Sequence, residues 1–520
     1  MKRIFFTLYL LTLSLSVHAQ LQLANTMHFG RGLTLPNPAT DRALIVTPEF
    51  FFAADQDAPG GREGYVYVFT NHHGNWVFSQ KLTDHFLPTN NRGWFGYAIG
   101  HGTNSHGEWL AVESTWARST NKTTQPTTPH GTGDIQMFKL NTTTRQWEFF
   151  QYIVPQATDE FGNSPSISGD WMVCGSLGHW YNSDPYYAYS GAGWFYQFDP
   201  GSNRWELRQG PVMCSGGSNN WNFAYTATVH GTNALFYGRF NNAHSGALYL
   251  YELRDGTWVE TGVLRPNSPK PTETFGIAYV QCQEYGEPGI KDDLLVVGAP
   301  QRASSFQTGG VYFFQHNGTN WNQIGSHFPT NLQPRTYYGN SGDMKGDLCV
   351  IGARFAEWTQ TFSPPATTDG KGIVDVFKFD GSKWNLVQTL APESRQQFDW
   401  FGSWTTTDGT NVYVVSPGAT VNGAKTNILH KFSPPPTPTP DVLPPNAFLI
   451  TGIQHSPDGL LVSWTANTNF LYTVEINTNN FASEWIPAPG IDWPQQTNQI
   501  FISTPPNESA LIRIKATQPE

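Results

Sequence analysis

Apolar residues along most of this chain fall in short runs separated by clusters of Gly, Asn, Asp and Pro, and no long stretch repeats at the helical spacing of three to four. The runs are ordered by an aromatic-Gly step that returns seven times: Phe29-Gly30, Phe95-Gly96, Phe161-Gly162, Phe223-Ala224, Phe275-Gly276, Tyr338-Gly339 and Phe401-Gly402. Its intervals are 66, 66, 62, 52, 63 and 63 residues, so one supersecondary unit is repeated. Within each interval the order is constant: a Gly turn, an apolar run such as DLLVVGAP (293–300), a loop, a second run such as GGVYFF (309–314), a polar turn and a Trp. This order predicts four short strands per unit.

The turns HHGN, PGSNR, RDGT, HNGTN and FDGSK are rich in Gly, Asn and Asp, which supply the positive φ values of tight hairpins. Trp76, Trp147, Trp205, Trp258, Trp321 and Trp384 each open the strand after such a turn. There an indole can cover the apolar face of the neighbouring unit, a structural role. Four-stranded units that cannot bury both faces alone stack radially, and seven of them predict a seven-bladed β-propeller. The seventh unit ends at NILHKF (427–432) without a Trp strand, while LQLANTM (21–27) stands free before the first step. The N-terminal strand is therefore expected to complete the last blade, which removes the exposed edges of the ring.

The step, the Gly turn and the run DLLVVGAP resemble FG-GAP repeats, the blade units of integrin α-subunit propellers, over residues 29–432. The fit is most literal in TFGIAYV, DLLVVGAP and GGVYFF and degraded in unit four, where FAYTATV and NALFYGR replace it. In that family several blades carry a DxDxDG calcium loop between the first and second strands. The corresponding connections here, HGTNSHGE, SGD, HGTN, KGD and DGTN, lack alternating carboxylates, and QCQEYGEPGIKDD (281–293) lacks the spacing. No calcium or other cofactor is expected at the blades. Asp55 and Asp57, after the second strand of unit one, are the weak metal candidates and equally suit a solvated turn.

Residues 1–19 join Lys2 and Arg3 to the apolar run IFFTLYLLTLSLSV and the small-residue site Val17-His18-Ala19, the layout of a secretory signal cut after Ala19. Removal of Lys2 and Arg3 takes the formal charge from −10 to −12, and no other stretch has the apolar length of a transmembrane helix. An acidic chain without basic clusters gives no counterion-release drive toward nucleic acid. The expected location is extracellular or at the cell surface. Cys174 and Cys349 lie in apolar strands as buried thiols, whereas Cys214 and Cys282 lie near strand ends, where pairing is open.

SPPPTPTPDVLPP (433–445) is an extended polyproline spacer that separates the propeller, residues 20–432, from a module at 446–520. LLVSW, FLYTVEI, QIFIS and ALIRIKA in that module fit a small β-sandwich. With Trp464 and Tyr472 on strands, it resembles a fibronectin type III-like unit.

Candidate chemistry is sparse. His101 and His230 fall at the turn that holds Asp408 in DGTN, GxSxG is absent, and PGSNRW and FDGSKW lack the Ser-x-Asp spacing of a sialidase box. No catalytic residue is assigned. Loops between second and third strands, and between blades, are expected on one face, and they are aromatic rather than charged. LGHWYNSDPYYAYSG (177–191) carries Trp180, Tyr181, Tyr186 and Tyr187, ARFAEWTQTF (353–362) carries Phe355 and Trp358, and Trp94, Trp221 and Trp400 lie at blade-to-blade connections. Such rings stack on sugars or anchor a protein partner, or they fold long loops onto the rim. Asn121, Asn141, Asn317 and Asn507 meet the N-glycosylation sequon. The preferred expectation is an extracellular binding or adhesion protein whose propeller recognises a glycan or protein. The alternatives are a polysaccharide hydrolase or lyase on the same scaffold, and a spacer whose terminal module attaches.

Overall fold

The structure, a computed structural model, describes residues 20–29, 44–55, 64–85, 95–114, 133–154, 159–178, 191–215, 223–238, 245–269, 274–276, 280–283, 294–300, 308–332, 336–357, 370–435, 450–456, 459–464, 471–477, 486–487, 499–502 and 511–517. The chain divides into two compact units, Met1–Pro434 and Pro435–Glu520.

The first unit is a seven-bladed β-propeller built from seven four-stranded antiparallel sheets. Blades 1 to 6 span residues 44–82, 95–153, 159–212, 227–264, 280–327 and 341–390 in simple up-and-down order. Their inner strands are Leu44–Val46, Phe95–Asn104, Asp159–Ser168, Ala227–His230, Val280–Gln283 and Ser341–Lys345, and that of blade 7 is Trp404–Thr407. Each inner strand contacts the next, and blade 7 contacts blade 1, so the ring is closed. Blade 7 takes Val412–Ser416 and Asn427–Ser433 from its own region and its outer strand, Gln22–Phe29, from the N-terminus. The register runs from Gln22 opposite Ser433 to Phe29 opposite Asn427. The N-terminal closure expected from the sequence is thus observed.

The aromatic-Gly step acts at the seam between blades. Its aromatic ring packs edge-on against the third strand of the blade that the step leads into, as in Phe29 on Tyr67 and Phe69 of blade 1, Phe161 on Trp194 and Tyr196 of blade 3, and Phe401 on Phe432 of blade 7. A side chain on the Gly that opens the third strand of the preceding blade would collide with the backbone of the step. A Cβ at Gly64, Gly191 or Gly372 would lie 1.8, 2.0 or 1.8 Å from the carbonyl oxygen of Phe95, Phe223 or Phe401. The backbones also bond there, Phe275 N–H donating to Ser245 O at 2.9 Å and Tyr338 N–H to Thr308 O at 2.9 Å. In unit four Ala224 takes the place of the step glycine and adopts φ 60°, the left-handed conformation its glycine counterparts occupy.

The Trp residues opening the outer strands do cover the neighbouring blade: Trp147 packs edge-on against Phe50 and Phe52 of blade 1, Trp205 against Trp109 of blade 2, and Trp258 against Trp171 of blade 3. Four residues after four of these Trp stands a Gln: Gln80, Gln151, Gln209 and Gln388. Each side-chain amide clamps the outer strand of the following blade by two hydrogen bonds. Gln80 Nε2 donates to Trp147 O and its Oε1 accepts from Trp147 N, both at 2.8 Å. Gln151 makes the same pair with Trp205 at 2.9 and 2.8 Å, and Gln209 with Trp258 at 2.8 and 2.9 Å. Gln388 grips Leu21, directly before the closing strand, at 2.9 and 2.8 Å. In blades 4 and 5 the position is Gly262 and Gly325.

The third-to-outer turns use Asx geometry. Asn141 Oδ1 accepts from Thr143 and Thr144 N–H, Asn317 Oδ1 from Thr319 and Asn320, and Asp380 Oδ1 from Ser382 and Lys383. Two of the four sequon asparagines are therefore turn-forming acceptors.

The second unit contains two three-stranded antiparallel sheets. One joins Ile450–Ser456, Gly459–Trp464 and Gln499–Ile502, and the other Ile486–Pro487, Leu471–Asn477 and Leu511–Thr517. Among the described residues, no helix is long and apolar enough to cross a membrane.

Candidate binding face

Four antiparallel strands that start at the ring axis bring both the second-to-third-strand loops and the blade-to-blade loops to the same end of every blade. That end is the loop face. Trp94, Trp180, Tyr181, Tyr186, Tyr187, Trp221, Trp358 and Asp57 lie outside the described residues, and Asp55 ends the second strand of blade 1 with its side chain likewise outside them.

Trp400 is described, and it corrects the expectation drawn for it. It is 2% exposed in the core cluster that holds Phe355 and Trp404, at φ 56°, and its carbonyl accepts from Ser403 N–H and Oγ–H at 3.0 and 2.8 Å. Tyr337 and Thr274 hold the same left-handed conformation one residue before their own steps, so this position recurs in the repeat.

One part of the loop face joins blades 6 and 7. Arg395 is buried at its centre: Nε donates to Pro392 O at 2.9 Å, Nη2 to the Glu357 carboxylate at 3.2 and 3.3 Å, and Nη1 to Gly372 O. Gln397 Nε2 donates to Glu357 O at 3.2 Å. Asp399 caps the turn through Gln396 N–H at 2.7 Å, and its carbonyl accepts from Gly418 N–H at 3.2 Å. Lys425 Nζ donates to Gly418 O and lies 6.0 Å from the centre of the Trp400 ring. Burial pushes the Asp399 carboxyl above its ordinary range, opposed by the Gln396 N–H, Lys425 and Arg395. From this network one large apolar side chain projects outward, Phe398, 44% exposed at φ 69°. Sequence reasoning passed over it for Trp400. The signal available was QQFDWFG, in which alternation puts Phe398 and Trp400 on the same side and only the left-handed turns separate them.

A second space, of about 550 Å³, follows the ring axis and is lined by the inner strands of blades 1, 2, 3, 4, 6 and 7. Several of its polar groups bond from one blade to the next. Asp343 accepts from Thr406 Oγ1 at 2.6 Å, Thr407 N at 3.0 Å and Met344 N at 2.8 Å, joining blade 6 to blade 7, and burial still raises its carboxyl above the usual range. Ser166 and Ser168 accept from Val229 and Gly231 N–H at 3.2 and 2.9 Å across blades 3 and 4. His101 bonds Glu108 at 2.8 Å on its own hairpin. Among the described residues no group of three His, Cys, Asp or Glu could hold a metal ion.

Buried polar pairs also replace aromatics within blades. Where blades 1, 3, 4 and 5 have Tyr67, Trp194, Tyr249 and Tyr312, blade 6 has Asp375, and there the step aromatic is Tyr338, whose hydroxyl donates to Asp375 at 2.9 Å. Thr389 Oγ1 bonds the other carboxylate oxygen at 2.6 Å, and His327 Nε2 stands 3.7 Å away. Burial raises the Asp375 carboxyl and lowers His327. Blade 7 has His430 at this place, bonded to Ser416 Oγ at 3.1 Å and lowered to about 4, chiefly by burial.

No protein family matches the chain, and no curated protein does. Among solved structures, Sqt1 of Saccharomyces cerevisiae is similar at 11% identity over 79% of this chain and 100% of its own, with a TM-score of 0.39. The periplasmic gluconolactonase PpgL of Pseudomonas aeruginosa is similar at 10% identity over 74% and 99%, with a TM-score of 0.40. Likenesses of this strength bear on no activity.

Proposed function

We propose that this chain is an exported FG-GAP-type propeller that binds an extracellular glycan or protein through its loop face. Residues 1–19 serve as the secretion signal, 433–445 as a spacer, and 446–520 as a fibronectin type III-like accessory for attachment or presentation. The observation that carries this reading is the collection of both loop types of all blades at one end of a closed ring. There the blade 6–7 network presents Phe398 on a hydrogen-bonded base, and the sequence of residues 177–191, between the second and third strands of blade 3, is rich in Trp and Tyr. A scaffold whose side chains are spent on inter-blade bonds leaves recognition to the loops.

The test is a glycan and extracellular-matrix protein array probed with the mature chain, residues 20–520, with and without calcium, beside a Trp180→Ala/Tyr187→Ala double variant. Binding that the variant loses supports the loop-face reading. Binding that the variant keeps moves the site off the 177–191 loop, and a blank array turns attention to hydrolase or lyase assays on polysaccharides.

A further inference from the structure

We infer that Phe398 is the aromatic floor of a subsite for a neutral pyranose ring, which gives the loop-face reading above, on which this inference rests, a ligand class and a residue. Three observations converge on it.

Phe398 sits where neither packing nor turn chemistry asks for an aromatic. Its ring is 44% exposed, whereas Trp400 and Phe401 beside it are 2% and 0% exposed. Its φ of 69° is a conformation that costs free energy for any residue with a Cβ, and a bulky one adopts it only when its surroundings over-determine it. The surroundings do so. Gly418 faces the Phe398 carbonyl so closely that a Cβ there would lie 1.8 Å from that oxygen, and the Asp399–Gln396 and Gly418–Asp399 hydrogen bonds lock the turn on either side. The ring is thus held outward in advance, and a ligand does not bear the cost of ordering it.

The flanking groups suit hydroxyls. Gln397 Nε2 donates to Glu357 O at 3.2 Å, and the Glu357 side chain is 44% exposed, so its carboxylate can accept from a hydroxyl. Glu357 and Asp399 add carboxylates whose charge is opposed by Arg395 and Lys425. A pyranose offers an apolar C–H face to an aromatic ring and hydroxyl donors around its edge. The carboxylates disfavour an acidic sugar.

A protein partner is matched less well. Among the described residues the other exposed large hydrophobics of the propeller, such as Leu23, Phe78, Leu207 and Val259, lie on outer strands, so none of them joins Phe398 in a protein-sized hot spot.

The experiment is calorimetric titration of the mature chain with cellohexaose, mannohexaose, xylohexaose, chitohexaose and, as the acidic comparison, hexagalacturonate, using wild type, Phe398→Gly and Phe398→Trp. The expected result is binding of a neutral hexaose that Phe398→Gly weakens about tenfold, the scale of one stacking contact, and that Phe398→Trp retains. Thermal unfolding of Phe398→Gly is expected to show an unchanged or higher midpoint, because glycine relieves the strained φ. A lower midpoint would mean that the ring is structural and would overturn the inference. Equal binding by wild type and Phe398→Gly would overturn it while leaving the loop-face reading intact. No binding of any hexaose by wild type would remove the glycan reading itself. Preference for hexagalacturonate would overturn the neutral assignment. Loss in Phe398→Gly of binding to an arrayed matrix protein, with no hexaose bound, would reassign the residue to a protein partner.

Discussion

The glutamine clamps give a graded prediction about what holds adjacent blades together. Gln151 is 9% exposed, and its two hydrogen bonds to Trp205, at 2.9 and 2.8 Å, occupy both backbone groups of that residue where water does not reach. Replacing Gln151 with Met keeps the length and apolar stem but leaves a buried N–H and a buried C=O without partners. At about 1–3 kcal/mol for each orphaned group, the substitution is expected to destabilise the propeller by about 2–6 kcal/mol. Gln80 and Gln209 make the same bonds at half-buried sites where water can replace the amide, so Gln80→Met and Gln209→Met are each expected to cost about 1–2 kcal/mol. The assay is urea unfolding of the mature chain followed by tryptophan fluorescence, comparing midpoints at unchanged slope. A Gln151→Met midpoint equal to wild type, or a larger loss in Gln80→Met, would show that these amides are decoration on contacts made by the Trp rings alone.

Three other outcomes follow from the same seams. Phe29 is 6% exposed and packs on Tyr67 and Phe69, so Phe29→Ala is expected to cost about 3–5 kcal/mol, while Phe78→Ala, 56% exposed on the next outer strand, costs well under that; thermal melts compare the two. Ala224→Gly places at φ 60° the residue that geometry prefers, and is expected to leave stability equal or raise it by about 1 kcal/mol, read from the same urea curves. His430, lowered to about 4 in the folded chain, binds protons less readily there than in the unfolded chain at about 6.5. Its share of stability is complete above that upper value and drains as pH falls toward 4, by about 3 kcal/mol in all. His430→Gln is expected to flatten the loss of stability across that window, measured as midpoint against pH.

The repeat was legible in the sequence because its signals are local and recur in phase. The step, the Gly before the third strand and the turn-Trp pair each answer a backbone requirement that every blade shares, and closure by residues 21–27 followed from one missing outer strand. The clamps recur at Trp plus four in four of the six units, yet a Gln on an outer strand reads as a solvated residue until the neighbouring blade is in place. The loop face was less legible. Trp400 offered a large aromatic at a loop and proved to be core, because a left-handed turn decides which way it points and no side-chain pattern records that turn. Phe398 was hidden for the same reason. Asp375 with Tyr338 shows the converse, a carboxylate that looks functional in isolation and whose partner is a Phe-to-Tyr change 37 residues earlier at the step.

The closing strand has a mechanical corollary. Gln22 lies opposite Ser433, so the first strand of the ring and the exit to the proline spacer leave the same end of one antiparallel ladder. Tension applied between the N-terminus and the spacer would load that ladder one rung at a time, as a zipper rather than in shear. Leu21 and Gln388 form the latch ahead of the first rung. A ring that resists heat through all its seams would therefore open under a modest pull at this single one, and the direction of force, more than its size, would decide whether the propeller stays shut.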